Sequence, residues 1–295
     1  MAVDSTEALL EYKSSAILGE GPVWDEVSGK LYWLDILSGK LFIYDPVHKA
    51  NTEYDVGEHV GAFALREKGG LVLAAKSGFV FFDPETLKKE PITDPESHLP
   101  SNRFNDGKCD PRGRFWAGTM SYEVEEGAGS LYCLNPDLLV DKKITEVTIS
   151  NGLAWNKQQD TFYYIDTPTR KLCSYDYEDF SGMISNRRVV REFKEDEGYP
   201  DGMTIDTEGH LWVALYGGGK VLRIDPANGN IVFEIHLPVP QVTSCTFGGA
   251  HFDELYITTC RENMSAEAIR EAPLSGSLFK AKVAYKGSPS VRFAG

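Results

Sequence analysis

The sequence predicts an all-β fold, a six-bladed β-propeller with four antiparallel strands per blade, on three observations. Six apolar triplets recur along the chain, with starts 40, 44, 47, 49 and 44 residues apart. A second apolar run follows each triplet, and four of these six runs end in Asp-Pro or Asn-Pro, a turn signal after a strand. The runs are aromatic and β-branched, and helical periodicity is scarce.

The elements of each blade follow from this repeat. The triplets begin at Leu31, Leu71, Phe115, Phe162, Leu211 and Leu255. In the first blade four strands are predicted, at 20–25, 31–35, 41–45 and 51–56. The sixth blade lacks a clear fourth strand, so we predict that residues 9–17 supply it and close the ring at the N-terminus. A β-sandwich with accidental regularity is the alternative to this fold.

Length, charge and cysteine usage limit the classes of function. The 295 residues are predicted to form one domain, 1–295. A formal net charge of -14 would repel a phosphate backbone, so no nucleic-acid partner is expected. There is no secretory signal and no apolar run long enough for a membrane span, so no membrane partner is expected. Five scattered cysteines without a CxxC pair predict free thiols and a cytosolic protein.

Polar residues followed by glycine stand just upstream of four of the triplets. They are Glu20, Asp106, Asn151 and Asp201. The inner strands of a propeller begin beside the central channel, so equivalent residues at these starts converge on one axis. Converging carboxylate and amide oxygens repel one another unless positive charge lies among them. The pattern therefore predicts one divalent cation, Ca²⁺, Zn²⁺, Mg²⁺ or Mn²⁺, and a plain turn role for each dipeptide is the alternative.

Further features lie on the same predicted face. Arg103 precedes Asp106 and brings a fixed cation with five donors, which suits a polyhydroxylated or anionic ligand. Capping of a loop carbonyl is the other interpretation of this arginine. The connections 119–130 and 260–276 are longer than a hairpin requires, which indicates that they cover a pocket.

These residues resemble the senescence marker protein, regucalcin and gluconolactonase family. The resemblance runs from about Leu18 to Val283, and its motifs are LGEGPVW from 18, NRFNDGK from 102, GTM from 118, SNGLAW from 150 and YPDGM from 199. It implies a six-bladed propeller with one catalytic divalent metal. The implied metal ligands are Glu20, Asn151 and Asp201.

The resemblance also implies the residues that contact the substrate. They are Arg103, Asn105 and an acid of the following lid, here Glu123. The lid match is looser than the other motifs, so Glu125 or Glu126 is an alternative for this acid.

Members of the family typically act on sugar lactones. The resemblance therefore implies divalent-metal-dependent hydrolysis of aldonolactones, such as gluconolactone, to aldonic acids, with a small-molecule lactone as partner. Asp201 would hold the metal with one oxygen and take the proton of the attacking water with the other. The alternatives are a phosphotriesterase-type organophosphate hydrolase on the same metal site and a non-catalytic calcium-binding propeller.

Overall fold

Six β-sheets surround a central axis, which confirms the predicted six-bladed β-propeller. The computed structural model describes residues 3–295; residues 1 and 2 of the predicted domain 1–295 lie outside the described residues. Four of the sheets contain four consecutive antiparallel strands, and the other two add a strand from the N-terminal segment. In the first blade the observed strands match the predicted ones to within one residue.

The strands are described by chain order. They are β1 Asp4–Glu7, β2 Leu9–Tyr12, β3 Gly19–Asp25, β4 Lys30–Asp35, β5 Lys40–Asp45, β6 Ala50–Asp55, β7 Val60–Leu65, β8 Leu71–Ala75, β9 Gly78–Asp83, β10 Lys88–Thr93, β11 Asn102–Cys109, β12 Phe115–Ser121, β13 Gly129–Leu134, β14 Val140–Val147, β15 Ser150–Trp155, β16 Thr161–Asp166, β17 Lys171–Glu178, β18 Met183–Glu192, β19 Tyr199–Ile205, β20 Leu211–Tyr216, β21 Lys220–Asp225, β22 Asn230–His236, β23 Val242–Gly248, β24 Glu254–Thr259 and β25 Leu278–Lys282. Blades 1 to 5 are β3–β6, β7–β10, β11–β14, β15–β18 and β19–β22, and blade 6 contains β23–β25.

Helical structure is confined to short segments. Two single 3-10 turns cover Thr167–Thr169 and Glu195–Glu197, and the helix α1 covers Ala266–Glu271 in the connection between β24 and β25. Within residues 3–295, no helix is long and apolar enough to cross a membrane.

The N-terminal segment adds a strand to each of the last two blades. Strand β2 lies antiparallel to β25 at the outer edge of blade 6, with Leu9 opposite Lys280. This strand ends at Tyr12, whereas the predicted outer strand covered 9–17. Strand β1 was not predicted; it lies parallel to β22 and makes blade 5 five-stranded.

The core is divided into six layers, one between each pair of neighbouring blades. Three tryptophans, each on the second strand of its blade, are fully buried in these layers: Trp33, Trp116 and Trp212. Their indole N–H groups donate to Asn51, Asp110 and Asp206 at 3.1, 2.9 and 2.9 Å. A buried indole therefore packs its apolar ring without leaving its N–H unpaired. The five cysteines are buried free thiols, as predicted.

Every inner strand contains a β-bulge close to its beginning. A bulge places extra residues on one strand, bends that strand and re-aims its side chains. The register shifts lie between Glu20 and Val23, Val60 and Ala62, Phe104 and Asp106, Asn151 and Leu153, Pro200 and Met203, and Val242 and Ser244. The predicted metal ligands Glu20, Asn151 and Asp201 thus stand at a bulge that all six blades share.

Residues 283–295, which we call the C-terminal strap, cross the end of the axis opposite to these bulges. On one side the strap is anchored to blades 5 and 6, where the Lys286 carbonyl accepts from Thr207 N–H at 2.8 Å. On the other side it is anchored to blades 2 and 3, where Phe293 N–H donates to the Leu65 carbonyl at 2.8 Å. The strap therefore connects blades that are not neighbours in the ring.

Candidate functional site

The three predicted metal ligands stand where β3, β15 and β19 begin. Glu20, Asn151 and Asp201 are all buried, with 4%, 3% and 6% of their surfaces exposed. The glycine after each of them allows this crowding. Gly21 has φ +53°, and a Cβ at Gly202 would stand 2.2 Å from the Ser244 hydroxyl oxygen. Glycine at these places is thus required by backbone conformation and by close packing.

The carboxylates at the end of the channel where the inner strands begin, here called the mouth, raise one another's pKa values. Burial, and then the charge of Asp106, raise the pKa of Glu20 to about 8. The pKa of Asp201 is raised well above its ordinary value by burial and then by the charges of Glu20, Asp106 and Glu262. The structure therefore brings Glu20, Asp106 and Asp201 into one group of interacting acids, as the repeat predicts.

The charge balance of this group favours a bound cation. Its four acids are Glu20, Asp106, Asp201 and Glu262. The cations whose fields oppose their protonation are Arg103 and Lys108. Ionising all four acids against two cations would leave two negative charges, which one divalent cation would balance.

The amide of Asn151 provides an independent test of whether a cation fits. Its Nδ2 donates to the Thr167 hydroxyl at 2.9 Å, which fixes the direction of the amide. Its Oδ1 is buried and has no hydrogen-bond partner among residues 3–295. Leaving such an acceptor unsatisfied costs about 1–3 kcal/mol. A hard cation takes amide oxygens, so Asn151 fits the predicted site.

No group of three or more His, Cys, Asp or Glu side chains within residues 3–295 is arranged to hold a metal. The predicted set does not require one, since it combines two carboxylates with an amide oxygen.

Arg103 and Asn105 form a rigid pair on β11. The Arg103 Nη1 donates to Asn105 Oδ1 at 2.8 Å and to the Phe104 carbonyl at 3.0 Å. The Asn105 Nδ2 in turn donates to the Ser150 carbonyl at 2.9 Å, next to Asn151. Arg103 does bind a carbonyl, the alternative role considered for it. Its Nε is nevertheless buried and unpartnered within residues 3–295, so donor capacity is left for a ligand.

Glu123, the lid acid that the resemblance implies, does not contact the other site residues, whereas its neighbour Tyr122 does. Glu123 is exposed, and its carboxylate forms no hydrogen bond or ion pair with the rest of the described chain. Glu125 and Glu126 are exposed as well. The Tyr122 ring instead lies 5.8 Å from the Arg103 guanidinium, and its hydroxyl lies 2.7 Å from His59 Nδ1.

Glu262, like Tyr122, belongs to the site but was not predicted from the sequence. It lies at the start of the long connection 260–276, which was predicted to cover the pocket. Burial raises its pKa, and the charge of Arg103 opposes that shift. Its charge also acts on Glu20 and Asp201, so the side chain faces the site. Its place in that long connection was the available signal.

These features define a class of protein: a six-bladed propeller with a buried, oxygen-rich site at one end of its axis. Residues 18–261 match the sequence profile of the SMP-30/gluconolactonase/LRE-like region. The chain belongs to this family.

Several relatives match over nearly their whole length. A Bacillus subtilis (strain 168) protein provisionally named sugar lactone lactonase YvrE is 44% identical, covering 98% of this chain and 99% of the relative. Regucalcin of Xenopus laevis is 42% identical, covering 94% of this chain and 95% of the relative. The crystal structure of regucalcin from Agrobacterium tumefaciens, described as a calcium-binding protein, is 28% identical, with TM-score 0.94 and 99% of each chain covered.

Proposed function

We propose that this protein is a divalent-metal-dependent lactonase that opens sugar lactones, such as gluconolactone, to aldonic acids. The observation that carries the metal requirement is the buried, unpartnered Asn151 Oδ1 beside acids whose pKa values are raised. The lactone substrate is supported by the relative named as a sugar lactone lactonase and by the donors at the channel mouth.

Glu20, Asn151 and Asp201 would hold the cation. When bound, it supplies Lewis-acid chemistry to the lactone carbonyl. Asp201 is the proposed base: a carboxylate oxygen accepts the proton of the attacking water, and the carboxylic acid then returns a proton to the leaving ring oxygen. Burial keeps this carboxylate away from bulk water, which strengthens its interaction with the reacting groups.

The other mouth residues would bind and orient the sugar. Arg103, held by Asn105, would donate to ring or hydroxyl oxygens, and the Glu262 carboxylate would accept from hydroxyl groups. The exposed face of the Tyr122 ring suits the C–H face of a sugar, because its hydroxyl is already held by His59. Such positioning lowers the entropic part of the barrier.

A calcium-binding protein without catalysis is the second candidate, favoured by the description of the Agrobacterium regucalcin structure. An ion held only for structure does not need an arginine with a free donor and an aromatic ring beside it. The presence of these two groups beside the proposed cation site therefore favours a catalytic function.

The test is acid release from gluconolactone, followed with a pH indicator after chelation and after adding back Ca²⁺, Zn²⁺, Mg²⁺ or Mn²⁺ separately. We expect the enzymatic rate to vanish on chelation and to return with at least one cation. A rate that survives complete chelation would refute metal dependence. Calorimetric cation binding without turnover on any lactone would favour the calcium-binding candidate, and the same assay with a phosphotriester tests the organophosphate alternative.

A further inference from the structure

A cavity runs along the channel from Asp106, one of the acids of the candidate site, to the C-terminal strap at the opposite end. It holds about 420 Å³, within the size range of small-molecule pockets. Inner-strand residues of all six blades line it, and Ser288–Val291 of the C-terminal strap lie across its outer end. Small side chains on the inner strands, such as Ala64 and Ala154, leave this space open.

The inner part of the cavity contains an ammonium group with unused donors. Lys108 follows Asp106 by two residues on β11, so both side chains are directed to the channel. Its Nζ donates to the Met203 carbonyl at 2.6 Å. Within residues 3–295 this ammonium makes no other hydrogen bond and no ion pair, although burial lowers its pKa. Two of its three N–H groups are therefore available.

Two hydroxyl groups on β23 add to these donors. Ser244 and Thr246 are buried and line the cavity, and they alternate along the strand so that both are directed to it. Neither hydroxyl hydrogen-bonds to another part of the described chain, and neither oxygen is sealed off by surrounding atoms. Buried polar groups normally find partners, so these hydroxyls are available to water or to a ligand in the cavity.

The remaining walls combine aliphatic surface with polar residues, among them Asp106, Asn156 and Gln159. Val23, Ala64, Ala154 and Pro289 present aliphatic surface around the amine and hydroxyl groups. A few convergent donors within apolar walls are the usual composition of a small-molecule site. The charge of Asp106, which also lines the cavity, favours the ammonium form of Lys108. An ammonium with spare donors in a dry environment attracts a further anionic acceptor, because ion pairing offsets its desolvation.

We propose that this cavity is a second ligand site, which binds a small carboxylate with an apolar body. The carboxylate accepts from Lys108, Ser244 and Thr246, and the apolar body packs against the aliphatic walls. This site does not depend on the proposed lactonase activity. A polyhydroxylated acid such as gluconate suits it poorly, because its hydroxyl groups would be desolvated against aliphatic walls.

The strap provides the entrance. Its two sides are anchored by backbone hydrogen bonds, at Lys286–Gly287 and at Phe293–Ala294. Between the anchors, Ser288–Val291 make no backbone–backbone hydrogen bond with the part of the chain that the structure describes. A local displacement of these four residues therefore admits a ligand without breaking the blades.

The test is calorimetric titration of the full-length protein with phenylacetate, its neutral isostere phenylacetamide, and gluconate. We expect saturable binding of phenylacetate and at least about tenfold weaker binding of the other two, which corresponds to 1.4 kcal/mol. Lys108→Met should weaken phenylacetate binding by at least about tenfold. Arg103→Ala, which alters the candidate site at the other end, should leave it unchanged.

Two further variants keep the test decisive if Lys108→Met does not fold. Thr246→Val keeps the shape and the amine but removes a donor, so phenylacetate binding should weaken several-fold. Ala154→Leu fills the cavity and should abolish binding, while circular dichroism reports whether the fold is retained. Absence of phenylacetate binding to the wild-type protein, or equal binding by the wild type and folded cavity variants, would overturn the proposal.

Discussion

Buried acids at the two ends of the inner strands differ in how many hydrogen-bond and ion-pair partners they have. At the far end, Asp110 and Asp206 directly follow the inner strands of blades 3 and 5, and each accepts from turn N–H groups, an indole and a guanidinium. At the near end, Glu20 accepts from Gly21 N–H at 2.9 Å and Asp106 from Gly107 N–H at 2.7 Å. No ion pair neutralises either acid of the near end within residues 3–295.

This difference separates structural from functional acids of the same residue type and similar burial. A carboxylate surrounded by donors stabilises the fold and has no capacity left for a ligand. A carboxylate with few donors and acidic neighbours has a raised pKa and gains from a cation. Pairing, not burial, therefore distinguishes the two ends.

The largest expected effect comes from Asp201→Asn at the near end. The amide can still offer an oxygen to the cation but cannot accept a proton at neutral pH. We expect kcat for gluconolactone to fall by roughly 10²–10⁴, the usual range for a lost general base. The measurement is the indicator assay across a cation titration. Full recovery at saturating cation would show that Asp201 is a ligand only.

Asp110→Ala at the far end should instead act on stability. It leaves the Arg114 guanidinium, 6% exposed, without its buried partner. The free energy of unfolding should fall by roughly 3–5 kcal/mol, while kcat of the folded fraction stays near that of the wild type. Urea unfolding measures this change.

A matched control lies close by, between Arg112 of blade 3 and Asp179 of blade 4. Asp179→Ala removes the partner of the half-exposed Arg112 and should cost about 1 kcal/mol or less. Equal losses of stability for the two variants would contradict the assignment of Asp110 as a buried structural acid.

Asn151→Ala tests the unpartnered oxygen of the near end. The variant removes a proposed ligand without adding charge, so cation affinity should fall by about tenfold or more, equivalent to 1.4 kcal/mol. Asn151→Asp supplies an oxygen again and should retain binding with altered activity. Calorimetric titration measures the affinities, and unchanged cation binding by Asn151→Ala would exclude this residue as a ligand.

The smallest expected effect is a difference in KM between variants of two acids, Glu262 and Glu123. Glu262→Gln weakens a proposed contact with the substrate and should raise KM several-fold with little change in kcat, the pattern of lost uniform binding. Glu123→Gln alters an exposed acid and should leave KM within about twofold of the wild type. Steady-state kinetics with gluconolactone compares them. A larger rise in KM for Glu123→Gln than for Glu262→Gln would instead favour Glu123, the acid implied by the family resemblance, as the substrate contact.

The blades were predictable because each strand repeats the same alternation of apolar residues and the same turn signals. The convergence of Glu20, Asp106, Asn151 and Asp201 followed from that repeat, because equivalent strand starts must meet at the axis. Their roles in binding and catalysis stay predictions.

Tyr122 and Glu262 were not predictable in the same way. Both lie in connections whose path depends on local contacts, such as the hydrogen bond between Tyr122 and His59, rather than on a repeat. Strand β1 was missed for a related reason: four residues that pair parallel with a distant strand carry no periodic signal of their own.

The pairing of β2 with β25 also has a consequence for biosynthesis. The strand partners stand at opposite ends of the chain, so Leu9 leaves the ribosome long before Lys280 is synthesised. Blades 1 to 4 contain only local strand pairings and can form during translation, whereas the outer edge of blade 6 stays open until synthesis is almost complete. Open strand edges promote association between chains. The N-terminal strands are therefore the segment most exposed to mispairing on polysomes, where nascent copies of the same chain lie side by side.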